Sequence, residues 1–276
     1  MDEEEEEDSI LDFGVGDNTD SIALGSNNLA HLYIDAESKF DEGEYEVALM
    51  RYLQVFDGSR EVVDWQEKRL TDLLADIAAL ADVYEPALQT LIIMRDERED
   101  ELLKASNDLN RIHEWAALNR QLDRERTLTV YFKLKEEGEK YAEALSLIRI
   151  VESSRLLAKG LYAELDKATL EHLQQKLEQY ETDLLTPKLA VDASEEEQEE
   201  ALESAMEAMV AAALELFEAA AALKEGDIGR QTMNKYLSYD QPNSYAKLIA
   251  AAKKAKNSIW IDGLEKLSED HQEDSA

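Results

Sequence analysis

Apolar residues recur three and four positions apart at Leu29, Leu32, Tyr33, Ala36 and Phe40, and again at Tyr45, Ala48, Leu49, Tyr52 and Val55. Residues so spaced share one face of a 3.6-residue helix. Gly43 falls between the two stripes, where it ends the first helix. The pattern predicts a helical hairpin with a very short turn. A second hairpin is predicted from Leu70, Leu73, Leu74, Ile77 and Leu80, followed by Tyr84, Ala87, Leu88, Leu91 and Met94. Pro86 sits in the first turn of that second helix, where its missing N–H costs little. A third hairpin is carried by Phe132, Gly138, Tyr141, Ala144, Leu145 and Ile148. Between the second and third lies an extra helical stretch with Leu103, Leu109, Ile112, Trp115 and Leu118.

A long helix follows from about Lys167 to Leu185, and Thr186-Pro187 ends it. Ser194 and Glu197 have the spacing of a capping box, which opens a helix through Leu202, Met206, Met209, Ala213, Leu216, Phe217, Ala220 and Leu223. Gly226 closes it, Ile228 to Tyr236 form a short partner, and Tyr245 to about Leu267 read as one last helical region. No convincing run of alternating β-branched residues occurs, so the expected class is all-α. The expected layout is a disordered acidic tail over 1–28, a helical domain over 29–185 and a linker over 186–201. C-terminal hairpins over 202–268 and a frayed end over 269–276 complete it.

The first hairpin resembles a tetratricopeptide repeat (TPR). The match rests on Ala36, Phe40, Gly43, Tyr45, Ala48 and Tyr52: small residues let two helices approach, and aromatics fill the gap between hairpins. A second copy keeps Ala75, Ala79, Tyr84, Ala87 and Leu88, with Asp82 in place of the turn glycine. Tyr45 and Tyr84 are 39 residues apart, as are Ala48 and Ala87. A third keeps Gly138, Tyr141, Ala144 and Leu145, and a weak fourth keeps Ala219, Leu223, Gly226 and Ile228. The spacings depart from the usual period of about 34 residues. The resemblance implies antiparallel hairpins stacked as a divergent TPR-like α-solenoid. It also implies that the first helices line a groove, with Tyr33, Glu37 and Asp41 from copy one and Arg69, Asp72 and Asp76 from copy two. Such a groove is acidic and suits a basic helix or extended peptide.

Charge sharpens this expectation. Of 276 residues, 63 are acidic and 29 basic, for a formal net charge of −34. A chain of that sign repels nucleic acid and anionic membrane and attracts basic protein segments. The absence of cysteine excludes thiol catalysis and disulfides, and it fits a reducing, cytoplasm-like compartment. The run Asp2–Asp8 is the opposite of a signal peptide, and no stretch has the roughly 18 apolar residues of a membrane span. His31, His113, His172 and His271 show no metal-ligand spacing, and no phosphate-cradling loop or nucleophile elbow occurs. No metal, cofactor or enzymatic activity is therefore expected.

Two features stand outside the repeats. Ile10-Leu11-Asp12-Phe13 is an apolar island flanked by acid, read either as a docking motif or as a chance cluster. Lys247, Lys253, Lys254 and Lys256 form a basic cluster that would meet the acidic N-terminal segment, touch nucleic acid or lie on a solvated face. The expected function is a protein-binding adaptor or chaperone that holds a basic partner. The alternative is a structural or assembly scaffold of a virus particle or large complex. A light-scattering concentration series separates them: an adaptor stays a monomer or dimer, whereas a scaffold grows with concentration.

Overall fold

The computed structural model describes residues 25–104, 108–185, 194–239 and 242–274. The acidic run, the Ile10–Phe13 island and residues 186–193 of the expected linker lie outside them. Every regular element among the described residues is helical, and none of these helices is long and apolar enough to cross a membrane.

The first hairpin is as expected. Helices α1 (Ser26–Asp41) and α2 (Tyr45–Gly58) pack on each other. Gly43, at φ +78°, makes the turn in a conformation that a Cβ would strain. Ala36 and Ala48 are fully buried. The chain then adds a 3-10 turn, Val63–Trp65, and a short helix, α3 (Gln66–Leu70). The backbone breaks at Thr71, with φ −114° and ψ −88°, before α4 (Asp72–Ala81) begins. The stripe starting at Leu70 is thus two helices, not one. Helix α5 (Glu85–Leu103) follows, and the repeat tyrosines Tyr45 and Tyr84 meet with ring centroids 6.1 Å apart.

The remaining elements are α6 (Leu109–Leu122), α7 (Arg126–Glu136), α8 (Ala142–Val151), α9 (Ser153–Ala158) and α10 (Lys167–Leu185). Next come α11 (Glu195–Leu223), α12 (Gly226–Ser238), α13 (Ser244–Lys254) and α14 (Ser258–Asp274). Two expectations change here. The last helical region is two helices, because Lys256 turns the backbone left-handed at φ 55°. Its end is helical to Asp274, past the Leu267 at which the apolar pattern stops.

The chain divides into two compact units. One comprises residues up to Asp96 with Arg120–Asp123, and the other comprises Glu97–Asn119 with everything from Arg124 onward. The 186–201 segment is not a boundary between cores. Leu170, Leu173 and Leu177 of α10 share one cluster with Met209, Leu216 and Phe217 of α11, Tyr236 of α12 and Leu264 of α14. Helix α11 is the centre of this unit, and α9, α10, α12 and α13 all pack on it. Its alanines explain why: Ala212, Ala213, Ala219, Ala220 and Ala221 are all buried, so neighbours approach from several sides. In the first unit Leu29, Tyr52, Phe56, Leu73, Leu74 and Ile77 form the interior. Each fully buried side chain of that size contributes about 1.5–3 kcal/mol.

Charge also enters the second unit. Glu114 is 2% exposed and accepts a hydrogen bond from Arg98 Nε at 2.7 Å. Arg126 grips Glu99 through Nε and Nη2 at 2.7 and 2.9 Å, and Trp115 Nε1 donates to the same carboxylate at 3.3 Å. Removing one member of a buried pair strands the other's charge in the interior. Glu114→Ala is expected to lower stability by about 3 kcal/mol in urea denaturation, with Glu114→Gln losing less because it keeps an acceptor for Arg98.

Candidate functional site

Tyr33, Glu37 and Asp41 are four residues apart on α1, so they climb one helix face. Asp72 and Asp76 do the same on α4. The two faces converge: Tyr33 Oη donates a hydrogen bond to Asp76 Oδ2. The Tyr33 ring is held edge-on by Tyr52, at 6.2 Å between centroids, and by Trp65, at 5.9 Å. Trp65 is itself tied to α1, donating from Nε1 to Ser26 Oγ at 3.2 Å. The result is an aromatic floor with four carboxylates around it.

The ammonium of Lys68 enters this cleft. Lys68 Nζ lies 4.7 Å from the Tyr33 ring centroid and 5.9 Å from that of Trp65. It is 3.7 Å from Asp72 Oδ2. A cation over aromatic faces beside a carboxylate is favourable, by up to about 2 kcal/mol when desolvated and less here, where Lys68 is partly open to water. The remaining carboxylates repel one another. Burial first, and then Asp76, push the Glu37 carboxyl above its ordinary range, with Lys68 opposing. Burial and the Asp76 contact drive the Tyr33 phenol far up, and burial with the charges of Asp76, Glu37 and Asp41 does the same for Tyr52. The cleft therefore favours additional positive charge. Among the described residues no group of three or more His, Cys, Asp or Glu side chains is arranged to hold a metal ion.

Five of the six residues expected in the groove contribute to this cleft, and Arg69 does not. It is 5% exposed, donates from Nε to Phe56 O at 2.7 Å and stacks its guanidinium 3.8 Å from the Phe56 ring centroid. The Thr71 break is the reason, because it turns α3 and its side chains out of register with α4. Among the repeat-packing residues, Ala36, Ala48, Tyr52, Ala87, Tyr141 and Ala144 are buried. Phe40, Tyr45 and Tyr84 are half-buried and stack in sequence, Phe40 on Tyr45 at 6.0 Å. Gly138 makes its turn at φ +94°. Ala75 is a correction: it is exposed and lines a cleft of about 410 Å³ with Leu88, Leu91 and Leu122, so it does not repeat the role of Ala36.

Trp65 and Lys68 were not anticipated. Both lie in the stretch between the predicted helices, where no periodicity marks them. The basic cluster is also redistributed. Lys253 pairs with Glu265 at 3.0 Å and Lys254 with Glu218 at 2.7 Å. Lys247 instead borders a separate cleft with Glu203 and Glu207. Comparison with family models, curated proteins and solved structures finds no match to this chain.

The raised Glu37 carboxyl has a consequence for stability. A group whose folded-state pKa exceeds its unfolded value favours the folded state while protonated, and that contribution is lost as pH rises through the raised value. Glu37→Gln is therefore expected to melt higher than the parent at pH 7. The gain should shrink as pH falls towards 4.5, the ordinary value for this carboxyl, and vanish below it, in melts followed by circular dichroism.

Proposed function

We propose that the chain is a non-enzymatic protein-binding module, an adaptor or chaperone built of TPR-like hairpins. Its acidic aromatic cleft receives a basic segment of a protein partner. The observation that supports this reading most strongly is the position of Lys68. Its ammonium lies over Tyr33 and Trp65 and beside Asp72, the surroundings that a partner's lysine or arginine would take. Glu37, Asp41 and Asp76 are left to engage neighbouring cations of the same segment, and the Tyr33–Asp76 hydrogen bond fixes the floor between the two helices. The repeat tyrosines support the TPR-like part of the reading, since Tyr45 and Tyr84 stack where successive hairpins of that family place aromatics. Net charge −34 adds long-range attraction that speeds encounter with a basic partner and weakens as salt screens it.

Fluorescence anisotropy with a labelled lysine- and arginine-rich peptide tests the proposal on the full chain. Asp72→Asn/Asp76→Asn is expected to weaken binding about tenfold, in line with the loss of two favourable charge contacts. Binding should also weaken as salt rises from 50 to about 300 mM. Affinity indifferent both to salt and to these substitutions would rule the cleft out.

A further inference from the structure

The second unit holds a cavity of about 570 Å³ between the turn joining α11 to α12 and the turn joining α13 to α14. Every residue that lines it belongs to that unit. Its size falls within the roughly 300–1,000 Å³ of small-molecule sites. Its floor is apolar: Met233 and Leu264 are buried and Trp260 is half-buried. Trp260 is fixed by an edge-on contact with Phe217, 5.2 Å between centroids. It also lies so close to α12 that a Cβ at Gly229 would be 2.7 Å from Trp260 Cζ2. The floor is thus preformed, and Ile259, 83% exposed, carries apolar surface out to the mouth.

The cations at this cavity are its unusual feature. Among the described residues Lys224, Arg230 and Lys256 line it and no carboxylate does, in a chain with 63 acidic residues. Lys224 and Lys256 make no ion pair among the described residues. Arg230 has an exposed contact with Asp227, 3.4 Å away on its own helix. Both lysines sit in left-handed backbone, at φ 62° and φ 55°. Each closes its helix in the same way: the following N–H, of Glu225 or Asn257, donates to the carbonyl five residues back, at 2.9 and 3.0 Å. Glycine takes left-handed positions at Gly43, Gly138 and Gly160. A lysine is costlier there than glycine, and backbone strain that recurs with the same side chain at one cavity points to a use for that side chain.

We propose that this cavity binds a small amphipathic anion, an acyl carboxylate of medium chain length. Its chain lies on the Met233–Trp260–Leu264 floor and its head group among Lys224, Arg230 and Lys256. Both halves of the ligand are needed. A purely apolar guest would leave the cations without a counter-charge, and a bare anion would leave the floor wet. A single charge matters as well. A chain of net charge −34 repels a polyanion at long range, whereas a monovalent head group meets little of that field and is held by the nearby cations. The pairing explains why lysine stands where glycine would fold more easily, and it does not depend on the acidic cleft of the first unit.

The full chain, isotopically labelled at tryptophan, is titrated with octanoate while the indole N–H signals are followed by NMR. A saturable shift at Trp260, but not at Trp65 or Trp115, is expected. Octylammonium has the same chain with the opposite charge, and acetate is the head group alone; each should bind at least about tenfold more weakly. Lys224→Gly/Lys256→Gly should weaken octanoate binding about fivefold, the loss of two modest ion pairs. That variant should melt no lower than its parent because backbone strain is relieved, which separates binding from folding. Lys224→Arg/Lys256→Arg, which keeps both charges, should keep the affinity. No saturable shift at Trp260, octylammonium or acetate binding as tightly as octanoate, or unchanged octanoate affinity in the double-glycine variant would each overturn the proposal.

Discussion

Close approach of helices at alanine is the constraint on which the rest of this structure depends. With 63 acidic and 29 basic residues, charge opposes compaction, and cohesion must come from apolar contact. Ala36 and Ala48 are fully buried where α1 and α2 pack together, and the buried alanines of α11 admit neighbours from several sides. The larger side chains then fill what the alanines leave open: Tyr52 and Phe56 in the first unit, Phe217 and Tyr236 in the second. A β-branched or larger residue at these alanines would force helices apart or side chains off their rotamers.

The scarcity of cations gives the ionic contacts their pattern. Interior or half-buried carboxylates take a partner. Glu114 has Arg98, Glu99 has Arg126, Glu164 has Lys135, and Glu218 has both Lys254 and the Tyr162 hydroxyl. At the cleft between α1 and α4 the exposed carboxylates of Glu37, Asp41 and Asp72 gather beside Asp76, and the Lys68 ammonium lies 3.7 Å from Asp72 and opposes the raised Glu37 carboxyl. The cavity at Trp260 is unbalanced in the opposite sense: among the described residues Lys224, Arg230 and Lys256 line it and no carboxylate does. Both imbalances lie where the surface is open, so both can be relieved by an incoming guest rather than by the fold.

Much of this was legible in the sequence, for physical reasons that also mark where the reading stops. A period of 3.6 residues reports which face is buried, and it placed Leu29, Tyr33 and Ala36 inside, whereas Glu37, Asp41, Asp72 and Asp76 were grouped by what the TPR resemblance implies. It carries no information on a backbone break made without glycine or proline. The break at Thr71 therefore went unseen, and with it the burial of Arg69 and the arrival of Trp65 and Lys68 in the cleft. The turn at Lys256 was missed for the same reason, since lysine is a helix former that here adopts a glycine-like conformation. What lies beyond Pro187 was not legible for a different reason. A proline ends a helix locally, but whether a core continues across it is decided by contacts distant in sequence, here those joining α10 to α11.

In the proposed function the acidic aromatic cleft receives a basic side chain, and Lys68 stands in the place of one. Titration of the full chain carrying Lys68→Ala with a lysine- and arginine-rich peptide tests it most directly. If the internal ammonium competes with the guest, removing it tightens binding relative to the parent, with the Trp65 indole reporting the contact. Binding that is unchanged or weaker in Lys68→Ala would contradict that role for the cleft.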